Sequence, residues 1–340
     1  MARTPAPSRI GKLPVTVRVV PSRATALLPG PSYLGACDAS AAVDLDGRRF
    51  VIASDEPTAA GEHALHVYEL DLPRPVASLG LREDLGLRGI AEDEIDLESA
   101  TRVDKRIYWA SSHGRKTDGS AAKARRCFFA TDVGTDGHLE AAGTPYARLV
   151  EDMLAEPALA SLQLEQLESQ GLPPERGGLN IEGMGARADG ALLLGLRSPL
   201  MGGCAVLLPF LNPDAVLGGH ERARFEAPIQ LDLGGNGVRD LAYDPARHAW
   251  FVLAGAAGRG YGRALYAWSG ERDARAVPIE APLPRDFNAE AVMVDPVTGQ
   301  LRLFSDDGAR TVDSGRGEPR SNKEMKDRRR SFRSLWVLLD

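Results

Sequence analysis

The chain has 340 residues, of which 43% are hydrophobic, 36 are glycine and 23 are proline, and this length fits two ordinary domains or one large all-β domain with many turns. Its net charge of −6 argues against general binding to nucleic acids or anionic membranes. It shows no apolar segment typical of a signal peptide and no run near the roughly 20 residues of a membrane span, so we expect a cytoplasmic protein.

Five related stretches follow one another along the chain. Each has a short polar head, a strand-like run, a turn and a second strand-like run, which is the pattern of a β-hairpin. The stretches read DASAAVDLDGRRFVIASD from Asp38, DLESATRVDKRIYWASSH from Asp96, NIEGMGARADGALLLGLRSPL from Asn180, GVRDLAYDPARHAWFVLAG from Gly237 and NAEAVMVDPVTGQLRLFSD from Asn288. This repetition predicts five copies of one structural unit.

Further strand-like runs complete each repeat. A third run follows every hairpin, and additional runs precede the fourth and fifth heads, which gives four strands per unit. Five such units predict a single all-β domain over residues 1–340, a five-bladed β-propeller. A six-bladed ring would need another repeat within residues 134–178, and none is found there. The last blade lacks a fourth strand at the C-terminus, so we expect the N-terminal run PVTVRVVP to close it.

Two segments interrupt the strand pattern. Leucine spacing and a high Gln and Glu content predict a helical insertion at residues 146–171, which either packs against the ring or acts as a lid. Pro157 divides this insertion, and Gly171 ends it. Residues 309–331 contain the most basic run of the protein and predict a solvated loop on the same face as the hairpin ends.

Equivalent positions of the five hairpins carry polar or charged residues. The heads are Ser40, Glu98, Glu182, Arg239 and Glu290, and the tails, 15 or 16 residues later, are Asp55, His113, Arg197, Gly255 and Asp306. Residues equidistant from the turn of an antiparallel hairpin face each other, so each head should lie beside its tail. The first strand of a propeller blade lines the central channel. The five heads should therefore converge on the channel axis.

The converging heads predict a cation at the axis. Ser40, Glu98, Glu182 and Glu290 would form a ring of oxygen ligands, which Ca²⁺ and other hard divalent cations prefer. Without a cation, the three glutamates would repel one another and be partly protonated. Arg239 leaves a second interpretation open, because a guanidinium cannot bind a metal but can neutralise two glutamates. Arg239 would then join the blades in an ion-paired hub instead of turning outward to an anion.

The blade heads resemble those of the soluble calcium-activated nucleotidases, the five-bladed apyrases. The heads read Ser, Glu, Glu, Arg, Glu, where that family has Ser, Glu, Glu, Ser, Glu, so Arg239 replaces a neutral ligand. Over most of its length the chain more closely resembles an uncharacterised bacterial family of propeller-like proteins. DLESA and NIEGM also give a looser similarity to phytase-like propellers. The apyrase resemblance implies a central calcium ion and nucleotidase activity.

The loops at the mouth of the channel are more basic than the chain as a whole. Arg115, Arg197 and Arg239 are candidates for binding phosphate, because arginines can neutralise phosphoryl oxygens while a metal ion polarises another. The alternative for Arg197 is a purely structural pairing with Glu182.

Three residues at the hairpin tails could activate an attacking water molecule. His113, Asp55 and Asp306 are side chains of the types that act as general bases. His113 could equally be a loop histidine with satisfied hydrogen bonds.

Together these features predict a metal-dependent hydrolase of a small phosphorylated molecule, either a phosphoester or a nucleotide anhydride. Two alternatives stay open. The first is a non-catalytic propeller that binds an anionic ligand or a protein on its basic face. The second is a metal-dependent lactonase or esterase, which would need the metal but not the basic rim. Propellers serve as enzymes, binding platforms and scaffolds, so the fold by itself does not decide between them.

Overall fold

The computed structural model describes residues 20–58, 61–87, 95–258, 260, 262–313, 315 and 318–340. Within these residues the strands form five four-stranded sheets and one two-stranded hairpin. The first strands of the five sheets contact one another in a closed cycle, which is how propeller blades surround a channel. The prediction of an all-β, five-bladed propeller is confirmed.

The strands are numbered along the chain and grouped into blades by their pairing. The first strand is β1 (Ala24–Leu34), and it belongs to the last blade. Blade 1 contains β2 (Ala41–Asp44), β3 (Arg49–Ala53), β4 (Ala64–Glu69) and β5 (Ala77–Gly80). Blade 2 contains β6 (Leu97–Val103), β7 (Arg106–Ser111), β8 (Phe128–Val133) and β9 (Leu139–Tyr146).

The remaining blades follow the same pattern. Blade 3 contains β10 (Asn180–Ala186), β11 (Leu192–Met201), β12 (Cys204–Phe210) and β13 (Ile229–Leu231). Blade 4 contains β14 (Asn236–Asp244), β15 (Ala249–Ala256), β16 (Arg263–Trp268) and β17 (Val277–Ile279). Blade 5 contains β18 (Ala289–Val294) and β19 (Leu301–Ser305), and, after the hairpin of β20 (Thr311–Asp313) and β21 (Pro319–Ser321), also β22 (Ser331–Leu339).

The strands in the middle of each blade are buried on both faces, because every sheet packs between two neighbouring blades. In β11 the run from Leu192 to Leu196 is buried, and in β15 so is the run from Trp250 to Ala254. Strands of this kind show continuous apolar runs instead of a strict alternation. This explains why LLLGL and WFVLA appear where a half-exposed strand would alternate.

The two ends of the described chain meet in blade 5. Strand β1 pairs antiparallel with β22, with Leu28 opposite Trp336 and Tyr33 opposite Phe332. The run PVTVRVVP, which the sequence suggests for this position, lies mostly outside the described residues, which begin at residue 20. Among the described residues, β1 is the strand that completes the sheet.

A buried arginine joins blade 5 to blade 1. The guanidinium carbon of Arg302 lies 4.8–5.6 Å from the ring centres of four aromatic residues, Tyr33, Phe50, Phe304 and Trp336. Arg302 also donates a hydrogen bond to the hydroxyl of Tyr33. Cation–π contacts of this kind are attractive and grow stronger when water is excluded. They stabilise the seam where the chain ends close the ring.

The helical insertion is confirmed and packs against the ring. It contains α1 (Leu149–Ala155), a 3₁₀ turn (Pro157–Leu162) and α2 (Leu164–Ser169). Leu149 and Met153 are buried in a cluster that also contains Phe128 of blade 2 and Phe210 of blade 3. One more short helix, α3 (Pro213–Leu217), follows β12. Among the described residues, no helix is long and apolar enough to cross a membrane.

The basic segment at residues 309–331 is bonded to blade 1. The Nζ atom of Lys323 lies 3.2 Å from Oε1 of Glu56, and Arg330 donates a hydrogen bond of 2.8 Å to the carbonyl oxygen of Pro57. Asn322 is buried and donates to the carbonyl oxygens of Asp307 and Ser331. These contacts hold the segment across the junction of blades 1 and 5.

Candidate functional site

Four of the five heads occupy β-bulges. Between β6 and β7 the pairing passes from Leu97–Ser111 to Ser99–Ala110, so Glu98 has no partner in the ladder. The same shift of one residue isolates the heads of blades 3, 4 and 5, which are Glu182, Arg239 and Glu290. A bulge bends its strand and re-aims the extra side chain. The bulges thus free these heads from the regular alternation of the strand.

The heads of blades 3, 4 and 5 form an ion-paired network with two further arginines. The Nη1 atom of Arg239 lies 2.8 Å from Oε2 of Glu182 and 3.2 Å from Oε2 of Glu290. Arg197 reaches Oε1 of Glu182 at 2.9 Å, and Arg263 reaches Oε1 of Glu290 at 2.6 Å. We call these five residues the arginine hub. It contains three guanidinium groups and two carboxylates.

The hub favours the interpretation of Arg239 as the centre of an ion-paired network. Burial alone would lower the pKa of Arg239, but the carboxylates of Glu182 and Glu290 raise it above its ordinary value. Its guanidinium is therefore charged and takes the place of an internal cation for these two glutamates. The carboxylates of Glu182 and Glu290 are thus bound by arginines, and a four-ligand cation site that they share with Ser40 and Glu98 stays a prediction. Arg197 makes the pairing with Glu182 that the sequence left open as its structural role.

Blades 1, 2 and 5 supply the opposite kind of environment. We define the acidic cluster as Asp38, Asp55, Asp96, Glu98 and Asp306. Single carboxylate oxygens of Asp55, Asp96 and Glu98 all lie within 4.8 Å of one another. Among the described residues, the cluster has one ion pair, between Asp96 and Arg125 at 3.2 Å. Among the described residues, carboxylates therefore outnumber their ion-pair partners in the acidic cluster, whereas arginines outnumber carboxylates in the arginine hub.

Three carboxyl groups of the acidic cluster have raised pKa values. Burial raises the pKa of Asp55, and the adjoining carboxylate of Asp38 raises it further. For Glu98 the removal of water is again the largest cause of a raised pKa, followed by the charges of Asp96 and Glu182. Burial and Asp38 raise the pKa of Asp306 to about 7, against a hydrogen bond from the backbone N–H of Gly308. Part of the cluster is therefore protonated at neutral pH.

In blades 1, 2, 3 and 5 the residue two positions before the head accounts for the difference in charge between the acidic cluster and the arginine hub. In blades 1 and 2 it is Asp38 and Asp96, which accept hydrogen bonds from Ser54 and Ser112 at the tail of the same hairpin. In blades 3 and 5 it is an asparagine: Asn180 donates to Glu182 at 3.2 Å, and Asn288 donates to Glu290 at 3.1 Å. An aspartate at this position adds a negative charge to the site. An asparagine adds no charge and donates a hydrogen bond to the glutamate at the head of the same blade.

Sequence reasoning missed Asp38 and Asp96 as members of the site. The signal was present, because each is the first residue of its repeat and stands two positions before a head. The interpretation concentrated on the heads, since those were expected to line the channel.

Two other predicted residues, His113 and Arg115, have partners outside the acidic cluster. His113 is buried with a left-handed φ of 57°, and its Nδ1 atom lies 2.7 Å from the carbonyl oxygen of Ser111. Burial lowers the pKa of His113 to about 4, so the ring is neutral at pH 7. Arg115 pairs with Glu168 of α2 at 2.9 Å and donates to the carbonyl oxygen of Gly119. Arg115 thus anchors the helical insertion, and its contacts leave little of the guanidinium for a substrate.

A cavity opens between blades 4 and 5. Its volume is about 570 Å³, and its walls include Arg263, Arg285, Asn288, Asp306 and Arg310. Arg263 belongs to the arginine hub, and Asp306 belongs to the acidic cluster. This blade 4–5 cavity therefore borders both halves of the charged channel. It is large enough for a small organic molecule, since such sites span roughly 300–1,000 Å³.

Three solved structures are similar to the chain at low sequence identity. An exo-β-1,3-galactanase from Phanerochaete chrysosporium with β-1,3-galactotriose has a TM-score of 0.45 and 8% identity, with 91% of this chain and 63% of that chain covered. The extracellular domain of a putative hybrid two-component system from B. thetaiotaomicron has a TM-score of 0.35 and 12% identity, with 79% and 25% covered. A GH43 β-1,3-galactosidase with galactodeoxynojirimycin has a TM-score of 0.47 and 10% identity, with 91% and 93% covered. The chain spans less than two thirds of the first two.

A family match covers the centre of the chain, and no curated protein matches the sequence. Residues 145–282, which include the helical insertion and all strands of blades 3 and 4, match the family model described as a protein of unknown function (DUF3616). The resemblance of the blade heads to apyrases stays a prediction. Residues 145–282 are therefore similar to the DUF3616 family of unknown function, and over this part of the chain the predicted resemblance to an uncharacterised family is confirmed.

Proposed function

We propose that the protein is a metal-dependent hydrolase that acts on a small phosphorylated substrate at the mouth of the channel. The observation that carries this proposal is the excess of carboxylates in the acidic cluster. Five carboxyl groups share one arginine among the described residues, Arg125 on Asp96. Carboxyl groups crowded in this way are stable only if protons, nearby basic side chains or a bound cation offset their charge.

The donor atoms of the cluster suit a hard divalent cation. Asp55, Asp96 and Glu98 offer only carboxylate oxygens, which Ca²⁺, Mg²⁺ and Mn²⁺ prefer over nitrogen or sulfur. Glu98 is half-buried, so an ion could reach its carboxylate. Asp96 is fixed by Ser112 and Arg125, which orient its carboxylate. These residues fit a cation that three carboxylates hold in place. We therefore place the proposed metal site at Asp55, Asp96 and Glu98.

Asp306 is the best-placed general acid or base. A group with a pKa near the working pH exchanges protons most effectively in catalysis, and the pKa of Asp306 is about 7. Its carboxylate is oriented by Asn288 at 3.2 Å and by the N–H of Gly308 at 2.8 Å. His113 is buried and its pKa is about 4, and Asp55 belongs to the proposed metal site. We assign proton transfer to Asp306 for these reasons.

Asp55, Asp96 and Glu98 would hold the ion, which when bound would supply Lewis-acid polarisation of a phosphoryl oxygen. The arginine hub would contribute a positive electrostatic potential on the other side of the channel. The guanidinium groups of Arg197 and Arg239 donate to carboxylates and also to the backbone oxygens of Gly258 and Ala256. We therefore give the hub a positioning role and do not assign direct substrate contacts to it.

A substrate screen tests the proposal. The full chain would be assayed with phosphomonoesters, nucleotides and lactones in the presence of Ca²⁺, Mg²⁺ or Mn²⁺, and again with EDTA. We expect turnover of a phosphorylated substrate that EDTA abolishes. Turnover of lactones alone would favour the lactonase or esterase alternative. A complete lack of turnover would favour a propeller that only binds its ligand.

A further inference from the structure

We propose that the blade 4–5 cavity binds the phosphoryl group of the substrate through the guanidinium groups of Arg285 and Arg310. This inference rests on the proposed function and deepens it, because it names the substrate class as a phosphate monoester and gives the place where the phosphate is held.

Arg285 and Arg310 differ from Arg263, which also lines the cavity, because their guanidinium N–H groups have no described partner. Both side chains line the cavity and belong to exposed residues. Their guanidinium groups make no hydrogen bond or ion pair with any other described residue. Arg263, in contrast, donates to Glu290 at 2.6 Å and to the carbonyl oxygen of Ala289 at 2.7 Å. An incoming anion would therefore find its partners in Arg285 and Arg310.

Two of the three acidic residues that line the cavity, Asp286 and Asp307, are paired with one arginine. Arg333 lies 2.9 Å from Oδ2 of Asp286 and 2.7 Å from Oδ1 of Asp307. Its guanidinium carbon is also 5.4 Å from the ring centre of Phe287. Both carboxylates thus face a fixed arginine, and Asp307 accepts a further hydrogen bond from Ser305 at 2.9 Å. The charge of Arg310 also acts on Asp286, but the hydrogen-bonded partner of Asp286 is Arg333, so the guanidinium donors of Arg310 have no described partner.

Asp306 lines the same cavity as Arg285 and Arg310 and could provide a third contact for a phosphate. A fully ionised carboxylate would repel an anion, but the pKa of Asp306 is about 7, so a protonated form is available at neutral pH. That form can donate a hydrogen bond to a phosphoryl oxygen. Two arginines and one carboxylic acid together match the several acceptor oxygens of a phosphate group. A volume of about 570 Å³ leaves room for the organic part of a monoester.

Binding of inorganic phosphate to the full chain tests this site without turnover. Calorimetric titration in EDTA at low salt removes any contribution from a bound metal. We expect phosphate to bind the wild-type protein, with an affinity that falls as the salt concentration rises. Arg285→Ala and Arg310→Ala should each weaken binding at least about tenfold, since an arginine–phosphate contact is a strong charge-assisted hydrogen bond. Arg285→Lys should recover only part of the loss, because lysine lacks the planar fork.

Arg275→Ala is the matched control. Arg275 is exposed like Arg285 but lies outside the cavity, so its removal changes the net charge equally and should leave phosphate affinity within about twofold. The inference is overturned if wild-type protein binds no phosphate, or if Arg275→Ala weakens binding as much as Arg285→Ala. Phosphate binding without turnover of any monoester would contradict the proposed function but support this site. Metal-dependent turnover that survives Arg285→Ala and Arg310→Ala would support the proposed function but contradict this phosphate site.

Discussion

The Nη1 atom of Arg239 lies 2.8 Å from the Oε2 atom of Glu182, so the heads of blades 4 and 3 are joined by a buried ion pair. Both residues stand on β-bulges of the innermost strands. The same Nη1 atom is 3.2 Å from Glu290 in blade 5. One guanidinium therefore connects three of the five blades near the axis. We assign a stabilising role to this arginine hub and propose the acidic cluster as the site of the chemistry.

Removing Arg239 should destabilise the ring strongly. Arg239→Ala removes the cation that the buried carboxylate of Glu182 shares with the half-buried carboxylate of Glu290, and breaking a buried pair costs about 3–5 kcal/mol. Urea unfolding would measure the change. Arg275→Ala, at an exposed position, should alter stability by less than about 0.5 kcal/mol. Adding Glu182→Gln to Arg239→Ala should recover part of the loss. A loss below about 1 kcal/mol for Arg239→Ala would contradict the role of the hub.

Gly237 should tolerate no side chain. A Cβ atom at this position would lie 1.9 Å from the carbonyl oxygen of Arg197, so β11 and β14 could not keep their spacing. We expect Gly237→Ala to cost at least about 3 kcal/mol in urea unfolding. Gly235→Ala is the control, because Gly235 has a φ of +81° but open space around it. Its cost should be about 1–2 kcal/mol, from the left-handed backbone alone. Equal costs for the two variants would refute the close approach.

The stability of the metal-free protein should fall as the pH rises through the range in which Asp306 titrates. The pKa of Asp306 is about 7 in the folded protein, against about 3.9 for an unperturbed aspartate. Between these values the folded state binds more protons than the unfolded state, so raising the pH favours unfolding. Asp306→Asn should remove this contribution, on the order of 1–3 kcal/mol between pH 5 and 8.

Urea unfolding at several pH values in EDTA would test this expectation. The wild-type protein should lose more stability than Asp306→Asn between pH 5 and 8. Parallel pH profiles for the two proteins would show that Asp306 titrates normally and would remove the basis for its catalytic assignment.

Asp306→Asn should also lower kcat once a substrate is known. A side chain that transfers a proton in the transition state contributes about 10²–10⁴-fold to the rate, and asparagine cannot replace it. The limb of the pH–rate profile near pH 7 should disappear together with the rate. Asp286→Asn is the matched control, because Asp286 lines the same cavity but Arg333 lowers its pKa. A variant Asp306→Asn with full kcat and an unchanged profile would exclude Asp306 as the acid or base.

Much of the fold follows from the sequence, because each repeat contains the turn and the apolar runs of a β-hairpin. The five turns and flanking apolar runs indicate five hairpins, and propeller topology then brings the heads together. The contact between Glu182 and Arg197, 2.9 Å apart, follows from their equal distance to the turn at Asp189 and Gly190. Register is less predictable. The bulge at Glu182 shifts the ladder by one residue, and short-range patterns do not reveal such an insertion.

The partners of the charged residues depend on contacts between blades, which no local pattern contains. Arg263 starts the third strand of blade 4 and pairs with Glu290 on the first strand of blade 5. Arg285 and Arg310 meet Asp306 only because two loops of different length border one cavity. Asp38 and Asp96 could have been found from the sequence, since they repeat at a fixed distance from the heads. Their effect on neighbouring pKa values, however, requires the packed ring.

Thermal unfolding of the EDTA-treated protein during a titration with Ca²⁺, Mg²⁺ or Mn²⁺ tests the proposed metal site most directly. A ligand that binds only the folded state stabilises it by about 2.7 kcal/mol at one hundred times its Kd, so the melting temperature should rise with at least one of these ions. Glu98→Gln and Asp55→Asn should weaken this response, whereas Asp286→Asn should retain it. A melting temperature that ignores both EDTA and all three ions would show that protons alone neutralise the acidic cluster, and would contradict a metal-dependent hydrolase.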